Sequence, residues 1–455
     1  MVICRWWIGK PFMNITISEV YQLTVISNLT MTLGELIRHK RQQKQMTLAQ
    51  VAELTGVSKG TISKIENKEI KLRDYKVALD LAAVLDIPIE DVTERYIEVE
   101  RNPDYLLDAL KLAITQSAST ELTAKIAAQY LTTNREPTED SLQTLYEFTS
   151  SLQDNSQQLA LYQVISKIAD DHSVRPLLAM SLLQTYLIQR DNFKKLRESY
   201  TKGTDLLHHA RFLQTEDQII YYYKLGAHAY HLGKYRDCIR FFKELETLDT
   251  SENPSKAHAI CCMAFCYCLI GQYELTEEYI KAANKFNFPF VQEHVAFTTA
   301  KLNGKKGNID LAIIQFEHCL ERYQPKIAVM DDLLDLYLQQ NYLAAAETLF
   351  QHEQDFEDIT LVDNPALIAK YANYYATKSR YYKLTRDHNQ TIHYLLKSIM
   401  IFISVDRRSN VSEGAGVLLN DLCKSPKTLD NLEIIDKIEL IASYLKIVDY
   451  EEGDV

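Results

Sequence analysis

Two cations and three hydroxyls are gathered in the short run Ser58-Lys59-Gly60-Thr61-Ile62-Ser63-Lys64. Ammonium groups attract phosphate, and small hydroxyls can donate to or accept from base edges, so this grouping is suited to contacting a nucleic acid. It can do so only if a rigid element holds it outward. Thr47 to Asn67, TLAQVAELTGVSKGTISKIEN, reads as two short helices joined by a tight turn. The Thr47 hydroxyl is placed to cap the first helix, and Val51, Ala52 and Leu54 supply its inner face. Gly56 falls where the chain must reverse and a positive φ is favoured. Ser58 caps the second helix, with Ile62 and Ile65 inward and Lys59, Thr61 and Lys64 outward. A helix with cations and small polar groups outside is what a DNA major groove accepts.

From about Leu33 to Val92 the chain resembles the helix-turn-helix domain of the phage-repressor (Cro, XRE) type. The matching residues are Gly34, Ile37, Arg38 and Arg41, then Thr47, Val51, Ala52, Gly56, Val57, Ser58, Ile62, Ser63, Ile65 and Glu66. The resemblance implies that Lys59, Gly60, Ser63 and Lys64 face the bases, with Thr47, Ser58 and Thr61 on the same DNA-binding surface. It also implies an internal ion pair between Arg41 and Glu66. The alternative for those two is a solvated surface pair of little energetic weight. Two departures stand out: Leu48 occupies the place of a phosphate-contacting Gln, and Gly60 has no side chain with which to read a base.

The apolar spacing of Tyr75 to Leu85 predicts a helix that closes this domain, stopped by Ile87-Pro88. The domain is thus expected over 32–92. A charged linker or connecting helix over 93–104 breaks before Pro103. Residues 1–31 match nothing downstream and read as an extension from an over-long start or as a short packing arm.

The formal charge is −11 over 455 residues. Between Glu35 and Arg73 nine Lys/Arg face four Glu, a net of +5, so the remainder carries −16. The phosphate-attracting field is concentrated on one small domain. The eight cysteines include no CxxC pair. With no secretory signal and no apolar run of membrane length, this predicts a reduced, cytoplasmic chain without a membrane segment. Cys262, Cys266 and Cys268 raise a metal site as one alternative. Packing of small side chains is the other, and no His or carboxylate completes a closed tetrad. There is no P-loop, nucleophile elbow or HExxH, and the histidines His228, His231, His318 and His393 sit within ordinary helical patterns. Neither enzyme chemistry, nor a cofactor, nor a metal is expected.

Beyond residue 105 the pattern is helical and repeats. The segments 225–242, 263–280, 299–316 and 333–350 align without gaps, with turns at Gly233, Gly271, Gly307 and Gln340, at steps of 38, 36 and 33 residues. These straddle the ~34-residue tetratricopeptide period. Tyr235, Tyr273, Ile309 or Tyr342 follows each turn. A small or modest residue comes next (Cys238, Thr276, Ala312, Ala345), then a large apolar one (Phe242, Ile280, Phe316, Phe350). The fold expected is therefore all-α: an N-terminal helix-turn-helix followed by a right-handed superhelical tetratricopeptide-like solenoid over 105–450.

A repressor-type head on such a solenoid resembles the peptide-sensing regulators of the Rap–Rgg–NprR–PlcR–PrgX group, closest in architecture and length to the NprR branch. The resemblance implies quorum sensing: a short linear signalling peptide, bound on the concave face, alters the binding of a homodimer or higher oligomer to paired half-sites in double-stranded DNA. The alternative is an adaptor, with or without DNA binding, that holds a response-regulator protein. Amides that bond a peptide backbone and aromatics that pocket its side chains are the chemistry expected on the first helix of each pair. The residues expected there are Tyr223, Tyr230, Phe265, Lys301, Tyr337, Asn373, Thr377 and Tyr381. Packing is the competing role for the aromatics, a solvated charge for Lys301, and a turn or cap for Asn373.

Overall fold

The computed structural model describes residues 31–69, 74–133, 139–322, 326–356, 359, 362, 364–424 and 432–451, with the side chains of 194, 355 and 424 and those beyond 446 left aside. The extension 1–30 lies outside the described residues. Among the described residues all regular structure is helical, and no helix is long and apolar enough to cross a membrane. The chain divides into two compact units, 1–181 and 182–455.

The first unit opens with α1 (Leu33–Gln43), α2 (Leu48–Thr55), α3 (Lys59–Glu66), α4 (Tyr75–Leu85) and α5 (Ile89–Val99). Thr32 and Glu35 form a capping box at the start of α1, and Thr47 and Gln50 form another at α2. Gly56 ends α2 at φ +71°. Leu36, Ile37, Val51, Ile62, Ile65, Leu81 and Leu85 make the core of this domain. Leu54, expected on the inner face of α2, is instead 64% exposed, because the one-turn spacing from Val51 carries it past the narrow stripe that meets α3 and α4. Gly34 sits where α1 crosses α3, and a Cβ there would overlap the Ile65 carbonyl.

The segment expected as linker begins inside a packed helix. Thr93, Arg95 and Tyr96 are buried, and the Tyr75 hydroxyl is 2.5 Å from that of Thr93. Arg95 Nε donates to the Met31 carbonyl at 3.0 Å, tying α5 to the start of the domain. The connection then breaks before Pro103, the first residue of α6 (Pro103–Thr115). It is followed by α7 (Thr120–Thr132), α8 (Glu139–Ser150), α9 (Asn155–Asp171) and α10 (Arg175–Gln189), the last of which runs across the division between the two units.

The second unit continues with α11 (Leu196–Asp205) and then a regular series of antiparallel pairs: α12 (Thr215–His231) with α13 (Tyr235–Leu248), α14 (Pro254–Leu269) with α15 (Tyr273–Ala283), α16 (Pro289–Lys305) with α17 (Ile309–Arg322), α18 (Ile327–Gln339) with α19 (Leu343–Leu349), and α20 (Pro365–Leu384) with α21 (His388–Ser404). Two further helices, α22 (Arg408–Lys424) and α23 (Leu432–Glu451), complete it. Tyr235, Tyr273 and Ile309 each begin a second helix, and Cys238, Thr276 and Ala312 are fully buried where the two helices of a pair approach.

The fourth repeat needs a correction of one position. The left-handed turn residues are Gly233, Gly271, Gly307 and Asn341, at φ +74°, +79°, +85° and +59°. In each, the next residue's N–H closes back onto a carbonyl four residues before the turn residue, as Lys234 does to Ala229 and Tyr342 to Tyr337. The turn is therefore at Asn341 rather than Gln340, and the step from Gly307 is 34 residues. The equivalents that follow are Leu343 and Ala346, and Ala346 is the fully buried small residue in place of Ala345.

Candidate DNA-reading helix and solenoid cavities

On the head, Lys59, Gly60 and Lys64 of α3 are exposed, and Thr61 and Ser63 half-buried. The Ser58 hydroxyl accepts from the Thr61 N–H at 3.1 Å and lies 2.7 Å from the Thr61 hydroxyl, so Thr61 is tied into the cap. Thr47 is likewise engaged with Gln50, whose Oε1 accepts from the Thr47 N–H at 2.8 Å. Lys59 and Lys64 form no ion pair among the described residues. Behind α3, Arg41 Nε and Nη2 donate to the two carboxylate oxygens of Glu66 at 2.7 and 2.8 Å, a bidentate pair with side-chain exposures of 14% and 4%. The hydrogen-bonded carboxylate raises the Arg41 pKa above its ordinary value. Arg41 Nη1 also donates to the Met46 carbonyl at 2.9 Å, so one guanidinium joins α1, the turn before α2, and α3.

In the second unit the first helices of successive pairs line a cavity of about 360 Å3. Tyr230 and His231 enter from α12, His258, Cys262 and Phe265 from α14, His294 and Phe297 from α16, Ala328 from α18 and Lys370 from α20. Burial pushes the His258 pKa down to about 4, and neighbouring His294 adds to the effect. Burial also lowers that of His294 and raises that of the Cys262 thiol. The cavity thus presents aromatic faces and neutral imidazoles. The Lys370 ammonium lies 5.0 Å from the centre of the Phe297 ring.

A second cavity, about 610 Å3, is polar. It takes Lys301 and Lys305 from α16, Asp331, Asp332 and Asp335 from α18, and Asn373, Thr377 and Arg380 from α20. Asp332 is paired with Lys301 and, at 3.1 Å, with Lys370, so a single carboxylate separates the two cavities. Burial opposes the charge of Lys301, but the Asp332 carboxylate outweighs it and holds the ammonium above the ordinary lysine range. Burial likewise opposes the charge of Asp332, yet its two lysines bring it down to about 2. Asp331 has no such lysine contact: burial and the charge of Asp332 raise it to about 6, although the Thr377 hydroxyl donates to it at 3.0 Å.

The folded pKa of Asp331 lies above the unfolded value of ~3.9. Its contribution to stability is therefore complete below about pH 4 and is lost as pH rises through 6. Asp331→Asn, which still accepts from Thr377, is expected to flatten that window. Urea melts should place the variant, relative to wild type, on the order of 1–2 kcal/mol higher at pH 7 than at pH 4.

The residues expected to clasp a peptide are thus divided. Tyr230 and Phe265 line the smaller cavity, and Lys301, Asn373 and Thr377 the larger. Tyr223, Tyr337 and Tyr381 line neither. The Tyr223 ring packs on Phe242 and His258, the Tyr337 hydroxyl donates to Glu317 at 2.7 Å, and Tyr381 stands edge-on to Phe350. His231, His258, Cys262, His294 and Lys370 escape a reading by residue type. A positional signal is present nonetheless. His258, His294 and Ala328 each stand 13 residues before their turn, and Ala227, Phe265, Lys301 and Asp335 each stand 6 before theirs, and all line a cavity.

An XRE-type helix-turn-helix followed by tetratricopeptide-like helix pairs is the class these elements define. Residues 37–92 match the family model described as Helix-turn-helix. The uncharacterized HTH-type transcriptional regulator RghRB of Bacillus subtilis (strain 168) is 32% identical over 76 residues, 17% of this chain and 55% of that protein. The chain therefore spans about half the length of this curated relative. Similar solved structures include a tetratricopeptide repeat protein from Parabacteroides merdae ATCC 43184, with 16% identity and TM-score 0.45, covering 60% of this chain and 99% of that one. Bacillus thuringiensis PlcR in complex with the peptide PapR7 and DNA has 14% identity and TM-score 0.27, covering 80% and 98%. A Rap protein complexed with competence and sporulation factor has 9% identity and TM-score 0.34, covering 86% and 98%.

Proposed function

We propose that the protein is a DNA-binding transcriptional regulator whose grip on paired half-sites is switched by a short linear peptide held in the solenoid. Lys59, Ser63 and Lys64, with the Gly60 backbone, face the duplex. Thr47, Ser58 and Thr61 hold the capping geometry beside it. The observation that carries the peptide half is the lining of the smaller cavity: five successive first helices contribute to one wall, and a surface built by repetition suits an extended chain. Aromatic faces would take apolar side chains, and neutral imidazoles would meet peptide groups as donor or acceptor. The Lys301–Asp332–Lys370 cluster and Asn373 continue the track into the polar cavity. The assembly proposed is a homodimer, one head per half-site.

A melting-temperature screen of the full chain against short synthetic peptides tests this. A peptide that binds only the native state stabilises it by about 2.7 kcal/mol at a hundredfold excess over Kd. The expected result is a concentration-dependent upward shift that is lost when Ala328→Trp fills the cavity from its α18 wall. A shift of equal size in that variant, or none with any peptide, would remove the reading.

A further inference from the structure

Behind the α12 wall of the smaller cavity, though not among its lining residues, lie two arginines with buried, unpartnered guanidinium nitrogens, next to a neutral imidazole of the lining. His231 lines the cavity, and its Nδ1 is buried with no hydrogen-bond partner. Arg407, in the turn before α22, reaches the same wall: its Nη2 is 3.4 Å from the carbonyl of Tyr230, and its guanidinium lies against Gly233. Arg407 forms no ion pair among the described residues, and its Nε is buried and unpartnered. Arg190, just past α10, also has a buried, unpartnered Nε, and only its Nη1 meets a carboxylate, that of exposed Asp191 at 3.1 Å. Burial, then Arg190, His228 and Arg407, push the His231 pKa down to about 3, which places both guanidinium groups in electrostatic reach of the imidazole.

The other nearby charges do not satisfy them. The Asp406 oxygens are taken by the Arg197 N–H at 3.0 Å and the Tyr444 hydroxyl at 2.7 Å. Among the residues lining the cavity, Glu293 is the sole carboxylate, exposed and on α16. Buried guanidinium N–H groups left without acceptors are costly, and an arriving anion would satisfy them with charge-assisted bonds.

We infer that Arg190, His231 and Arg407 form the receptor for the free carboxylate of a linear peptide seated in the smaller cavity, an assignment that rests on the peptide reading above. The carboxyl terminus lies at the α12 wall, and the apolar side chains before it run along Phe265 and Phe297. Phosphate-like anions lack the attached apolar chain and gain only the charge contacts. Because Arg190 precedes the repeats and Arg407 follows α21, one carboxylate bridges segments that are remote in sequence.

The test uses the full chain and two pools of synthetic hexapeptides rich in Leu, Ile and Phe, identical in composition, one with free carboxyl termini and one amidated. The free-acid pool should half-saturate the wild type at roughly tenfold lower concentration or less. In Arg190→Gln/Arg407→Gln the two pools should become equal, near the wild-type value for the amide. Equal binding of both pools to the wild type overturns the carboxylate receptor and leaves the peptide reading standing, with no variant required. Binding of neither pool removes both. A variant that keeps the preference for free acid, with unchanged helicity, overturns the assignment to these two arginines.

Discussion

Replacing both Lys59 and Lys64 with Glu is expected to weaken binding of the full chain to its DNA site roughly a thousandfold at physiological salt. Each substitution changes the local charge by two on an exposed stretch where neither lysine is engaged by a protein carboxylate. In the function proposed above the two ammonium groups lost would contact phosphates or base edges, and the two carboxylates gained would repel the backbone. Fluorescence anisotropy across a salt titration distinguishes this from misfolding: the slope of log K against log salt should flatten by about two contacts. An unchanged slope and affinity would show that α3 is not the element that meets DNA. The substitutions touch no core residue, so helicity and melting should match the wild type.

The second large effect is on stability. Glu66→Ala is expected to cost the head about 3–5 kcal/mol, since it leaves the Arg41 guanidinium behind α3 with the Met46 carbonyl as its remaining acceptor. Small domains hold only about 5–15 kcal/mol in total, so protection of the amides of α1 to α4 from hydrogen exchange should collapse. Arg41→Met/Glu66→Leu removes both charges and should lose less than the single variant, because no uncompensated ion remains. A double variant as damaged as the single would mean that the volume at this junction matters more than its charge.

The head was largely legible because its devices are local. A Thr or Ser three residues before a free N–H caps a helix, and a Gly at the turn adopts positive φ, whatever lies further away. That is why Thr47, Gly56 and Ser58 could be placed from their neighbours alone. Leu54 could not, because its exposure depends on how wide a stripe of α2 the other helices cover. In the solenoid, the three glycine turns are equally local, whereas Asn341 adopts the left-handed conformation at a modest cost that a polar run such as Gln339-Gln340-Asn341 does not advertise. Cavity membership is the least local property. Tyr337 and Phe265 both sit on first helices, yet one bonds Glu317 and the other lines a cavity, because Phe265 stands six residues before its turn and Tyr337 four, which puts them on different sides of the helix. Histidines at the same repeat position, His258 and His294, carry the cavity face in the sequence as a periodic mark rather than as a residue type.

The tethering of Thr61 to Ser58 has a further consequence for the regulator proposed above. With that hydroxyl committed to the cap and no side chain at Gly60, α3 offers Lys59, Ser63 and Lys64 as its polar vocabulary. Lysines are poor at telling neighbouring bases apart compared with a bidentate Arg or Asn, so one head would extract little information from one half-site. Discrimination across a genome would then come from counting: two sparse readers at a set spacing multiply their small preferences, and any event that alters the distance between heads would change which sequences are recognised as much as how tightly they are held.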